Sequence, residues 1–281
     1  MLKAYHRKQK DHKLISLQKE KVDHAYSKIS AKNKEILDSI NYAKRIQETI
    51  LPSDEIVNKY LKDSFILFKP KDIVAGDFYW LEHRRNKTLF AACDCTGHGV
   101  PGALVSVVCN SVLNRCVREY SLTDPGSILI KTREIVLQEF EKSDKEVTDG
   151  MDIALCSIRN NILSYAGANN PLWIIRKDSQ TLEEFKPDKQ PIGKFDYPVQ
   201  YSTKMIELKP GDTVYIFSDG YVDQFGGIDN KKFKARNFRR LLLSIQNESM
   251  SRQKEILDET FEKWKGQLEQ LDDVCIIGVR A

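Results

Sequence analysis

The sequence predicts an α+β sandwich preceded by one long helix. Three observations carry this. Residues 1–51 contain neither glycine nor proline, so nothing interrupts a helix there. Nine short strand-like runs with turn residues between them fill the remainder. Helical stretches break into that series without the regular alternation that a doubly wound parallel sheet needs. With 281 residues, 41% hydrophobic and 30% charged, the chain can bury a substantial core and cover it with a charged surface.

Alternate steps of four and three give Ile15, Lys19, Val22, Tyr26, Ile29, Asn33, Ile36, Ile40, Ala43, Gln47 and Ile50, and eight of these eleven are apolar or alanine. That is a heptad seam. A single helix leaves so narrow a stripe wet, so pairing with a second copy is the economical expectation, and Asn33 within the seam would set the register. Packing against the chain's own globular part is the alternative. Pro52 disfavours helical geometry at the residue before it, which places the expected boundary between a helical segment 1–51 and a second domain 52–281.

Beyond that boundary the strand-like runs are 64–68, 73–81, 88–94, 151–158, 162–168, 172–176, 200–208, 213–218 and 274–279. Helical patterns cover 103–120, 125–142, 235–246 and 251–267. Residues 231–240 hold six basic side chains interleaved with Phe233 and Phe238. Phe238, Leu241, Leu242 and Ile245 recur at helical spacing, which turns the apolar side inward and the basic side to water, so a nucleic-acid role is not expected.

Charge and cysteine usage narrow the class. Residues 1–50 carry 12 Lys/Arg against 6 Asp/Glu, and the rest carries 32 against 34, so the larger part has no basic surplus for nucleic acid. The six cysteines, at 93, 95, 109, 116, 156 and 275, form no CxxC pair, and reduced thiols in a cytoplasmic chain are expected. The basic N-terminus is followed by no apolar segment of the secretory kind, and no membrane contact is expected.

Four aspartates share a setting at or beside strand-like runs: Asp77 in AGDFYW, Asp94 in ACDCTGHG, Asp219 in IFSDG and Asp272 in QLDDV. A carboxylate ending an apolar strand is costly unless something compensates it. Carboxylates and main-chain carbonyls are hard ligands, suited to Mg²⁺ or Mn²⁺, and such ions activate water.

Taken in order, these motifs resemble the metal-dependent type-2C (PPM) serine/threonine protein phosphatases, in particular their bacterial SpoIIE-like branch. The resemblance spans about residues 53–281. It rests on Gly76–Tyr79, Asp94–Gly99, Ala166–Asn170, Pro191–Gly193, Pro210–Gly220 and the Asp272–Asp273 pair. It implies a four-layer αββα sandwich and two Mn²⁺ or Mg²⁺ ions. Asp94 would bridge them, the Cys95 carbonyl would reach one, and Asp77, Asp219 and Asp272, the first of its pair, would complete the set. It implies in-line attack on a phosphoserine or phosphothreonine by hydroxide held between the ions, with Asp94 and Asp77 central to catalysis. A phosphorylated signalling protein, such as an anti-sigma-factor antagonist, is the implied partner. Gly97, His98 and Gly99 are candidate phosphate or substrate contacts.

Three positions depart from the family pattern: Ala75 for a second glycine, Trp80 for an aspartate, and Ala168–Asn169 for a Gly–His pair. Trp80 and Ala168 motivate a second reading, a catalytically weak or inactive dimeric phosphoprotein-binding scaffold. His98 stands four residues after Asp94, as a general acid or as a helix-capping or loop residue. Asp152 opens a strand, as a supporting or third-ion ligand or as part of a surface turn. Residues 97–102 also match the dinucleotide pattern G-x-G-x-x-G, but 121–126 reads as a turn where that fold needs a second strand.

Overall fold

The computed structural model describes residues 1–141, 149–179 and 181–281, which form two compact units, Met1–Arg45 and Ile46–Ala281. Helix α1 (Leu2–Ile50) makes up the first unit as far as Arg45 and stops two residues before Pro52, as the proline rule requires. Its seam residues Ile15, Val22, Tyr26, Ile29 and Ile36 are between 56% and 75% exposed in the single chain. The last turn of α1, from Ile46, belongs to the second unit. The reason is Gln47, which is buried in the second unit: its Nε2 donates to the Ala75 carbonyl at 2.6 Å and the Ser106 hydroxyl at 2.9 Å, and its Oε1 accepts from the Ala75 amide at 3.0 Å.

After the short helix α2 (Asp54–Tyr60), capped by Ser53, the chain builds two five-stranded sheets. One sheet joins β2 (Phe78–Arg84), β3 (Lys87–Cys95), β4 (Met151–Arg159), β5 (Ile162–Ala168) and β8 (Lys204–Glu207), in that order. The other runs β1 (Ser64–Lys69), β12 (Val274–Arg280), β9 (Thr213–Phe217), β6 (Leu172–Ile175), β7 (Leu182–Phe185). Every pairing between these strands is antiparallel.

Strand β3 shows why there are four layers. Successive side chains on a strand point to opposite faces, and both faces of β3 are buried. Phe90 and Ala92 face the other sheet, with Ile174, Ile216 and Ile277, while Leu89, Ala91 and Cys93 face helices. Those helices are α3 (Gly99–Arg118) and α4 (Pro125–Phe140), which contribute Val105, Cys109, Leu113, Ile128 and Val136. On the far side, α6 (Ala235–Ser244) and α7 (Met250–Lys265) lay Phe238, Leu242, Leu257 and Phe261 on Trp173, Tyr215 and Ile276. The order is helix, sheet, sheet, helix. Among the described residues α3 alone is long and apolar enough to cross a membrane, and its apolar face is the one buried on β3.

Several elements differ from the sequence reading. The run 73–81 becomes a strand only from Phe78, because side chains take the backbone groups before it: Gln47 binds Ala75, and Asp273 accepts from the Lys71 and Gly76 amides, each at 2.7 Å. Strand β8 is four residues long, because the Val199 and Ser202 backbone is held by Gln190 and Asp188. Helix α3 starts at Gly99, with Pro101 in its first turn, where a missing N–H costs nothing. Helices α2 and α5 (Gly220–Asp223), strand β7 and the hairpin β10 (Phe225–Gly226) and β11 (Lys231–Lys232) were not anticipated, being short or polar. A second helix, α4, follows α3 without an intervening strand, so the dinucleotide-binding unit is absent and that reading falls. In the basic stretch, Phe233 and Phe238 are buried, while Lys232 pairs with Asp223 and Arg239 with Glu184.

Candidate active site

The C-terminal end of β3, the start of β4, the turn after β9 and the segment before β12 meet around one cavity of about 230 Å³. Asp94, Asp152, Asp219 and Asp272 face it, together with the loop Cys95–His98. Three of the four aspartates singled out by motif therefore share a cavity, although up to 178 positions separate them in the chain. The fourth, Asp77, is 2% exposed and lies against Asp94 and the Ser218 hydroxyl. Gly97 and His98 line the cavity, and Gly99 is the first residue of α3 beside it.

The sheet register places Asp152 directly opposite Asp94 across the β3–β4 pair. It is a strand residue in the cavity wall, which corrects its reading as part of a surface turn. Its carboxylate accepts from Asn169 Nδ2 at 2.8 Å, so the asparagine at the departing position is bonded to an acidic residue of the site. The other departures are accounted for by packing. Trp80 belongs to the helix-facing core and donates to Asn114 Oδ1 at 2.9 Å, and Ala75 has both backbone groups held by Gln47.

Backbone close approach builds the 95–102 loop. A Cβ on Gly76 would sit 2.3 Å from the Gly97 carbonyl oxygen, and one on Gly102 would sit 2.2 Å from it. Both glycines are needed so that the loop can fold over the first turn of α3. Thr96 ties the same loop to β4: its amide donates to the Gly150 carbonyl and its hydroxyl accepts from the Gly150 amide, both at 3.0 Å. His98 occupies the cap position of α3 without a capping bond from its side chain. Its Nδ1 lies 3.0 Å from Asp72 Oδ2, a partner that no motif indicated. Within the Asp–Asp pair the roles divide: Asp272 faces the cavity, while Asp273 is buried and holds the loop at Lys71–Gly76.

The electrostatics are those of like charges brought together. Burial, then the charge of Asp94, pushes the Asp77 carboxyl well above the ordinary carboxylate range, against the opposing hydrogen bond from Ser218. Asp94 is pushed up by burial and then by Asp219, Asp272 and Asp152. Burial with Asp223, Asp272 and Asp152 brings Asp219 up to about 6. Burial also raises Asp152, with Asn169 opposing. Among the described residues, no lysine or arginine faces this cavity.

Whether these residues suit a divalent cation is tested by Asp77. Its Oδ2 is buried without a hydrogen-bond partner, and an orphaned carboxylate oxygen beside a second buried carboxylate is the environment a cation relieves. Among the described residues no three His, Cys, Asp or Glu side chains are gathered to hold an ion by themselves. Mg²⁺ uses one or two carboxylates and keeps several waters, so side chains spread around a cavity suit it.

The family model described as Stage II sporulation protein E (SpoIIE) matches residues 84–281, which begins after Asp77 and includes the other site residues. The PP2C domain of SiaA from Pseudomonas aeruginosa is 32% identical, with a TM-score of 0.80 over 89% of this chain and 99% of that one. The phosphatase domain of SpoIIE from Bacillus subtilis, solved with a fragment of its regulatory domain, superposes with a TM-score of 0.62 at 17% identity, over 78% of this chain and 63% of that one. RsbX, crystallised in complex with magnesium, superposes at 0.54 with 14% identity, over 78% and 94% of the two chains. No curated protein matches the chain. A family model covering two-thirds of the sequence and a PP2C domain alike over nearly its whole length agree with the αββα layers and the acidic cavity: the chain belongs to the SpoIIE family, the bacterial branch of the PPM phosphatases.

Proposed function

We propose that this protein is a Mn²⁺- or Mg²⁺-dependent serine/threonine protein phosphatase acting on a phosphorylated signalling protein. The observation that carries the reading is the unpartnered buried oxygen of Asp77, which lies against Asp94, itself on the wall of a cavity that Asp152, Asp219 and Asp272 also face. The magnesium in RsbX supports the choice of a hard divalent ion. When bound, such ions lower the pKa of water and neutralise phosphate charge. Asp77, Asp94, Asp219, Asp272 and the Cys95 carbonyl would hold two of them.

The remaining work belongs to the chain. The Gly97–Gly99 backbone, at the N-terminal end of the twenty-residue helix α3, orients the phosphate at the positive end of the helix dipole. Asp273, by holding the loop before Asp77, keeps that carboxylate turned toward Asp94. The bond between His98 Nδ1 and Asp72, with His98 on the cavity wall, supports a part for His98 in giving a proton to the leaving serine oxygen. The exposed seam of α1 supports homodimerisation through that helix, and the Gln47 contacts give helix packing a route to the Asp77 loop. Six buried free thiols support a reducing, cytoplasmic setting.

The test is Mn²⁺-stimulated release of phosphate from a phosphoserine peptide. The wild type should turn over, and Asp94→Asn should fall by at least about 100-fold in kcat, the scale of losing a principal electrostatic element of a site. Peptide binding without release by the wild type would support the scaffold reading instead.

A further inference from the structure

The cavity is built for a phosphorylated side chain and offers little to the rest of a protein. Met151 and Pro191 are the sizeable apolar side chains on its wall, and its volume is about 230 Å³. Discrimination among phosphoproteins has to come from the surface around its mouth.

Pro191 opens a loop that returns to the same place. The Tyr201 hydroxyl donates to the Pro191 carbonyl at 2.7 Å, closing the loop at the cavity wall. Gln190, 1% exposed, donates to the Val199 carbonyl at 2.7 Å and accepts from the Val199 amide at 3.0 Å. Arg133 Nε donates to the Gly193 carbonyl at 2.9 Å. On this braced loop Phe195 is 41% exposed, Tyr197 84% and Val199 60%. Single exposed apolar side chains are ordinary, but three within five residues on a loop fixed by buried polar groups make a patch of the kind that marks a contact surface.

Reach decides what would cover it. Phe195 is four residues from Pro191, so at about 3.3 Å per residue it lies within about 13 Å of the cavity wall, and the Val199 backbone is bonded to Gln190, the residue before Pro191. A standard protein interface covers about 800 Å² per partner, a disc of radius near 16 Å. A protein whose phosphoserine enters the cavity therefore lies over this loop, and an extended chain reaches it three to four residues from the phosphoserine.

We infer that Phe195, Tyr197 and Val199 form a docking ledge for the substrate segment flanking the phosphorylated residue, and that this segment carries apolar side chains three to four residues away. The inference rests on the phosphatase reading and deepens it. The experiment compares two synthetic phosphoserine peptides in Mn²⁺, one with leucine three and four residues to either side and one with serine at those places. The wild type should favour the leucine peptide by about 10-fold in kcat/KM, the worth of burying a modest apolar area. A Tyr197→Ser/Val199→Ser variant with an unchanged unfolding midpoint should bring the ratio within about twofold, while Tyr197→Phe and the off-loop control Ile228→Ser should keep it. Equal turnover of the two peptides by the wild type, or a preference that survives the double variant, overturns the ledge. A wild type that hydrolyses neither peptide nor 4-nitrophenyl phosphate overturns the phosphatase reading itself, and the ledge with it.

Discussion

At the scale of single residues, the acidic site is a balance of like charges that a bound cation would relieve. Asp94 is the residue on which the others press, through Asp219, Asp272 and Asp152. Replacing it with asparagine keeps its shape and removes that repulsion. Asp94→Asn should therefore melt higher than the wild type without metal, by roughly 2–4 °C for about 1 kcal/mol, and should lose the further rise that Mn²⁺ gives the wild type. Differential scanning calorimetry with and without Mn²⁺ reads both effects, and a lower metal-free midpoint would count against the repulsion. Asp94, Asp219 and Asp272, which face the cavity, and Asp77, which lies against Asp94, stood out in the sequence because each sits in a short local motif, three of them with a glycine close by. Asp72, Gln47 and Asn169 were not, since each acts on a residue between 17 and 28 positions away. Asp273 had a visible neighbour in Asp272 but holds backbone 197 positions away, which no local pattern reports.

At the scale of elements, helix α1 and the loop before β2 carry separate predictions. If the seam pairs two copies, Val22→Lys with Ile29→Lys should convert a dimer to a monomer by light scattering, because two charges would have to be buried in an apolar seam. A wild type that is already monomeric would remove pairing from the account. Gln47→Ala strands the Ala75 amide and carbonyl in a buried place and should cost about 1–3 kcal/mol in urea unfolding. It should also weaken Mn²⁺ binding, because Ala75 lies two residues before Asp77. Strands with clear alternation or long apolar runs, such as β3 and β5, were legible nearly to the residue. The edge strand β7, of sequence LEEF, was not, because two of its four side chains are acidic and only its pairing with β6 makes it a strand.

At the scale of the whole molecule, the raised carboxyls tie stability to pH. The native protein without metal holds protons on these groups that the unfolded chain releases near pH 4. Between about pH 4 and the folded value of Asp219, about 6, the native state thus binds more protons, and stability falls as pH rises. Asp77 and Asp94, pushed up further, extend the fall above 6. Urea unfolding in a chelator should give a more stable protein at pH 5 than at pH 7. Adding Mn²⁺ should reverse the order, since the ion needs the charged carboxylates. The two-sheet, four-layer plan follows from strands buried on both faces and helices buried on one, and it carries aspartates from β3, β4, β9 and the segment before β12 to one cavity.

Whether that cavity takes up divalent ions is the claim on which the rest stands. Isothermal calorimetry of the metal-free protein titrated with Mn²⁺ at pH 7.5 tests it most directly. Uptake by the wild type that is abolished or greatly weakened in Asp94→Asn is the predicted result. A wild type that shows no heat of Mn²⁺ binding, or an Asp94→Asn protein that binds as well as the wild type, would contradict it.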